Sequence, residues 1–138
     1  MEVKNFEHLI KFYMGFPIVT LNLVNANGES VKLPLLFDTG ASEITLRHDL
    51  YTLFGVSSWD SGELHELGTA GGDKPVRAYR YHAKVEFLGK SFDDCPISLM
   101  VLPKNPLYVG LFGRRRVFEG FGFGFWEKSR ELYVTSNP

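Results

Sequence analysis

The sequence holds one cysteine, Cys95, so no disulfide can close within the chain and no thiolate metal cluster can assemble. That usage fits a reducing compartment. There is no apolar run near the roughly 18 residues that a membrane-spanning helix requires. The opening stretch, MEVKNFEHLIKFYMGF, is charged and broken by polar residues, unlike a secretory leader. The expectation is a cytoplasmic protein with no membrane partner. Charge of one sign is also missing: 15 Lys and Arg against 16 Asp and Glu leave a formal charge of −1. That balance argues against a dedicated nucleic-acid surface, and the single basic run, Arg114, Arg115 and Arg116, reads as a solvated face. No linker, low-complexity stretch or repeat divides the 138 residues, so residues 1–138 read as one domain large enough for its own core.

Several site signatures are missing too. His8, His48, His65 and His82 form no i, i+4 pair and no H-E-x-x-H, so they read as surface or flap residues and no metal is expected. Gly68 and Lys74 stand near phosphate-loop spacing, but Asp73 takes the required glycine and Pro75 the Ser or Thr. FEGFGFGF places Phe125 where a dinucleotide loop needs its third glycine. Both nucleotide motifs fail, and no cofactor is expected. Cys95, beside Pro96, reads as a small buried hydrophobe.

What the chain has in quantity is aromatic side chains, 14% with 12 Phe, punctuated by 14 Gly. That mixture suits short strands and tight turns. Val19, Leu21 and Leu23 alternate with Thr20 and Asn22, and Val31, Leu33, Leu35 and Phe37 alternate again. Between them Asn27-Gly28 is a strong hairpin signal, because both residues tolerate positive φ. Residues 16–38 are therefore predicted as a hairpin. Residues 47–55 suggest one or two helical turns ending at Gly55. Residues 63–88 read as strand, glycine-rich tip and strand, and residues 91–101 as a further strand. Residues 107–113 read as a buried strand, residues 114–120 as one or two helical turns, and residues 121–135 as a final hairpin turning at 127–130. The class is all-β.

LPLLFDTGASEIT, residues 33–45, carries an apolar strand straight into the carboxylate of Asp38, then keeps Thr39, Gly40, Ala41 and Ser42 small. Asp-Thr-Gly alone is a common tripeptide and reads as a turn. FDTGAS followed by the glycine-rich tip and then by LFGR, residues 111–114, in that order, resembles the retropepsin-like family: single-domain, retroviral-type aspartic proteases. The resemblance covers residues 16–135. It implies a closed acid-protease β-barrel with one short helix in the C-terminal half, catalytic as a homodimer. It implies Asp38 as the catalytic residue and Thr39, Gly40, Ala41 and Ser42 as its supporting loop. Gly68, Thr69, Ala70, Gly71 and Gly72 would be a flap closing over substrate. Gly113 and Arg114 would brace the catalytic loop.

The chemistry asks for such residues. Peptide hydrolysis needs a base for water and an acid for the carbonyl oxygen and the leaving amine. Two carboxylates held about 3 Å apart cannot both ionise, so one keeps a proton and the pair is acid and base at once. Gly40, without a Cβ, lets its backbone approach the carboxylate and donate a hydrogen bond. By resemblance, Thr39 would bond across to the second copy of the loop. One chain supplies one loop. Asp60-Ser61-Gly62 has a similar form, but no apolar strand leads into it and it lies too close to Asp38 for a two-lobed enzyme. The second carboxylate is thus expected from another copy, with residues 121–135 as the interface element. The family's acid partner for Arg114 is replaced by Ser42, which leaves Glu43 or the dimer interface for that side chain, and Arg115 stands where the family often has Asp or Asn. The expected activity is an aspartic endopeptidase acting on extended, largely apolar peptide segments. The alternatives are a non-catalytic dimeric peptide-binding or scaffold module and, more remotely, a monomeric apolar-ligand barrel.

Overall fold

The computed structural model describes residues 6–67 and 75–136. Alternation builds its first hairpin. Strand β2 (Ile18–Val24) buries Val19, Leu21 and Leu23, and β3 (Ser30–Phe37) buries Leu33 and Leu35. The antiparallel register pairs Val19 with Leu35 and Leu21 with Leu33, so these four apolar side chains share the inner face. The turn differs in detail from the expectation. Only Gly28 takes a positive φ, +81°, whereas Asn27 does not. The loop is longer than two residues, because Asn25 Oδ1 accepts from the backbone N–H groups of Asn27 and Glu29, both at 2.9 Å. Asn25 thereby does the turning that was attributed to Asn27.

The remaining strands are β4 (Ile44–Arg47), β5 (Glu63–Leu67), β6 (Val76–Phe87), β7 (Lys90–Met100) and β8 (Gly110–Phe112). They run in the order β2-β3-β8-β4-β7-β6-β5, and β6 also pairs with β2 through Asn22–Glu86 and Leu23–Val85. That last pairing closes six strands into a mixed barrel, which removes the free edges that open sheets must protect. β5 lies outside the closure as the first strand of the β5–β6 hairpin. The barrel is filled by alternating residues of every wall, including Leu21, Leu35, Ile44, Leu46, Phe87, Ile97, Leu99 and Phe112, none more than 1% exposed. Each such side chain contributes about 1.5–3 kcal/mol by leaving water.

Two strands are additions to the sequence reading. β4 buries Ile44, Thr45 and Leu46 in succession, because it lies between β7 and β8 with both faces covered, and no alternation marks it. β1 (His8–Lys11) pairs with β10 (Glu131–Ser136), which pairs with β9 (Phe121–Trp126), forming a separate three-stranded sheet in the order β1-β10-β9. The helical turn before Gly120 is a single 3₁₀ turn, Phe118–Gly120, and the stretch ending at left-handed Gly55 is a 3₁₀ helix, His48–Phe54. No helix among the described residues is long and apolar enough to cross a membrane.

The topology places one loop in an unusual position. β3 and β4 are not paired with each other; β8 lies between them, parallel to β3 and antiparallel to β4. The connection from β3 to β4, residues 38–43, must therefore step over the end of β8. It carries Asp38.

Candidate active site

Asp38 is the first residue beyond β3, where Phe37 pairs with Phe112 of β8. Its backbone N–H donates to Phe112 O at 3.2 Å, which continues the parallel ladder by one bond. The loop then tightens. Gly40 N–H donates to Asp38 Oδ1 at 2.9 Å, and Ala41 N–H donates to Asp38 O at 3.2 Å. One carboxylate oxygen is thus oriented by a backbone amide. A Cβ at Gly40 would stand 3.2 Å from that same oxygen, so a side chain there would crowd it. Thr39 and Ser42 are exposed and Ala41 is half-buried.

The chain leaving β8 holds this loop from beneath. Arg114 N–H donates to Ala41 O and Arg115 N–H to Ser42 O, each at 3.0 Å. Gly113 makes the approach possible: a Cβ there would fall 2.1 Å from Glu43 O and 2.4 Å from Glu43 C. Bracing of the loop by residues 113–115 therefore runs through main-chain groups. The Arg114 side chain does not pair with Glu43, because other groups surround that carboxylate. It lines an open cleft of about 580 Å³ with Phe37, Asp38, Thr39, Phe118, Phe123 and Phe125. The rings form one wall: Phe37 lies 5.2 Å from Phe118 and 4.9 Å from Phe123, centroid to centroid. Asp38 is the only acid and Arg114 the only base among the lining residues.

Glu43, offered by the sequence reading only as a partner for Arg114, has other partners. It is 2% exposed, yet it is charged. Arg80 grips it with two bonds, Nε to Oε2 at 3.3 Å and Nη2 to Oε1 at 3.2 Å. Ser98 donates to Oε1, His65 Nε2 stands 3.3 Å from the same oxygen, and Arg115 Nη1 lies 3.6 Å from Oε2. Burial alone would raise the Glu43 carboxyl, but hydrogen bonds from Ser98 and Arg80, with the charges of Arg80 and His65, outweigh it and hold the group below the usual carboxylate range. His65 is held below the usual imidazole range, first by burial and then by the nearby Arg80 charge, against the opposing pull of Glu43 and Glu63. The available signal was a carboxylate set directly against Ile44-Thr45-Leu46, since an acid entering a buried run has to be paired.

Asp60 lies in an exposed 3₁₀ turn, accepting from Ser58 Oγ. Gly68, Thr69, Ala70, Gly71 and Gly72 lie outside the described residues, although β5 and β6, which lead to them, pair from Glu63–Arg80 to Leu67–Val76. Cys95 is buried, and burial pushes its thiol up to about 12, so it carries no thiolate near neutrality. Among the described residues no group of three or more His, Cys, Asp or Glu side chains could hold a metal ion.

Two outcomes follow for the loop. Gly113→Ala pushes a methyl into the Glu43 main chain and is expected to destabilise the fold by about 3 kcal/mol or more in denaturant unfolding. The pH dependence has a defined sign. A carboxylate with a lowered folded value stabilises above its unfolded value, near 4.5, and that stabilisation is lost as pH falls through the folded value. Against wild type, Glu43→Gln should therefore be less stable at neutral pH, with the gap closing below about pH 4.5. Urea unfolding of both proteins across pH 3–7 reads this directly.

No family model matches the chain, and no curated protein matches its sequence. Its structure does match. A crystal structure of a retropepsin-like aspartic protease from Rickettsia conorii superposes with a TM-score of 0.62 at 21% sequence identity, covering 99% of this chain and 100% of that one. The closed six-stranded mixed barrel agrees with this match, which extends over nearly the whole chain. The chain has the retropepsin-like fold.

Proposed function

We propose that the protein is an aspartic endopeptidase whose catalytic unit is a homodimer, each copy contributing one Asp38. The observation that carries this reading is the position of Asp38: at the head of the loop over β8, one oxygen held by Gly40 N–H, on an open cleft walled by phenylalanines. A single such loop exists among the described residues, and a two-fold axis beside Asp38 would supply the second carboxylate by symmetry.

The pair would share one proton, because two adjacent carboxylates resist double ionisation. The ionised member takes a proton from a water molecule, whose oxygen attacks the scissile carbonyl carbon. The protonated member gives its proton to the carbonyl oxygen, so a neutral tetrahedral diol forms. Collapse of the diol then breaks the C–N bond as the amine nitrogen receives a proton and one hydroxyl returns its own to the pair. Gly40 fixes the carboxylate before substrate arrives, which spares reorganisation in the transition state. Substrate would lie extended, as an added strand, with large apolar side chains against Phe37, Phe118, Phe123 and Phe125. The glycine-rich segment at 68–72 is proposed as the flap over it, and Arg114 as a charged rim of the cleft.

The test is peptide mapping by mass spectrometry. The purified protein and Asp38→Asn are incubated with a pool of peptides from denatured proteins between about pH 4 and 7. New ends flanked by large apolar residues are expected with the wild type, and a loss of at least about a hundredfold in rate is expected for Asp38→Asn. Specific activity should also fall on dilution as the dimer dissociates. Identical maps from folded proteins would contradict the proposal.

A further inference from the structure

The Glu43 cluster brings together side chains from β5, β6 and β7 and from the chain leaving β8. Glu43 and Thr45 lie two apart along the chain and so share a face, and Thr45 is opposite Ser98 of β7. Ser98 is opposite Arg80 of β6, and Arg80 is opposite Glu63 of β5, two residues from His65. One polar row therefore crosses four adjacent strands, β4, β7, β6 and β5. Its first member ends the Asp38 loop. Its last members stand on the hairpin that leads to residues 68–74. Within the row, Ser98 donates its only hydrogen to Glu43, so its oxygen is left to accept from His65 Nε2, 2.8 Å away. Glu43 is thus tied to both arms of the hairpin, directly by Arg80 on β6 and through Ser98 by His65 on β5.

A buried carboxylate so surrounded is poor evidence of stability alone, since an apolar replacement packs at least as well. It does fix geometry. The oxygens of Glu43 have two positions set by Arg80 and Ser98, while its backbone is pressed on Gly113 and its neighbour Ser42 accepts from Arg115. Any shift of β5–β6 must strain these contacts or drag residues 41–43 with it.

We propose that Glu43 is a positioning residue that registers the Asp38 loop to the base of the β5–β6 hairpin, with His65 as the arm on the hairpin side. This rests on the proposed role of Asp38. It assigns His65 and Ser98 no nucleophilic task, because Ser98 is fully buried.

The experiment uses the full chain as wild type, Glu43→Gln, His65→Leu and His65→Gln. Backbone hydrogen exchange is read at Ala41, Arg114 and Arg115, whose N–H groups bond within the loop and its brace, and at β9–β10 as a remote reference. Glu43→Gln and His65→Leu are each expected to speed exchange at the three loop amides by about tenfold more than at the reference amides, whose change reports any loss of global stability. On a cleaved peptide, kcat should fall by about tenfold or more with KM within about twofold, since a misplaced loop costs chemistry before binding. His65→Gln keeps a donor and should restore both readouts. Acceleration spread evenly over the chain, or confined to β5, would overturn the proposal. The exchange result needs no substrate, so a wild type that cleaves nothing defeats the protease reading and leaves this one decided on its own data. Should Glu43→Gln fail to fold, His65→Leu alone carries the decision.

Discussion

The main chain of Glu43 and that of Gly113 touch so closely that no side chain fits between them, and the geometry of the site depends on that contact. β8 separates β3 from β4, so residues 38–43 must arch over its end. An arch unsupported from below would be a mobile surface loop. Here the chain leaving β8 supplies two amide donors to the arch, at Arg114 and Arg115, and one acceptor, Phe112 O, to its first residue. Asp38 gains a fixed place because its own amide bonds to the buried end of β8, and the two amides that follow that strand hold the loop behind it at Ala41 and Ser42.

Burial explains why the support is rigid. Phe112 is wholly buried and its ring contacts Phe37, Phe87, Phe118 and Phe123. The same rings that anchor β8 in the core continue outward as the wall of the cleft, ending at Phe125, which is 48% exposed. The aromatic content thus does two things along one line of contacts. Its inner part packs the barrel and its outer part offers a large apolar surface beside a carboxylate. Glu43 complements this on the other side of the arch, where a charge is kept buried only because Arg80, Ser98, His65 and Arg115 converge on it.

Much of the architecture was legible because it is local. The β2–β3 hairpin shows in the alternation of Val19 to Leu23 and Val31 to Phe37, and the break between them in Asn27-Gly28, although Asn25 makes the turn's side-chain bonds. The β5–β6 hairpin and the final hairpin show in the same way, and Asp38 shows as an acid at the end of an apolar strand. The missed elements are those whose reasons lie far along the chain. β1 carries only four residues, leaves Leu9 exposed and exists by pairing with β10 at the opposite end of the sequence. β4 has no alternation because both its faces are buried. Glu43 meets Ser98 across 55 positions, and no pattern near residue 43 names that partner. Arg114 was tied to loop bracing by resemblance, and its backbone does brace; its guanidinium stands in the cleft instead.

Two carboxylates from two copies of one chain form the core of the proposed chemistry, and mixing tests it most directly. Wild type and Asp38→Asn are combined at fixed total concentration, allowed to exchange subunits, and assayed on one cleaved peptide. If both Asp38 side chains are required, activity follows the square of the wild-type fraction, so an equal mixture retains about a quarter. A linear dependence, with half the activity left, would mean that one chain works alone and would contradict a shared catalytic pair.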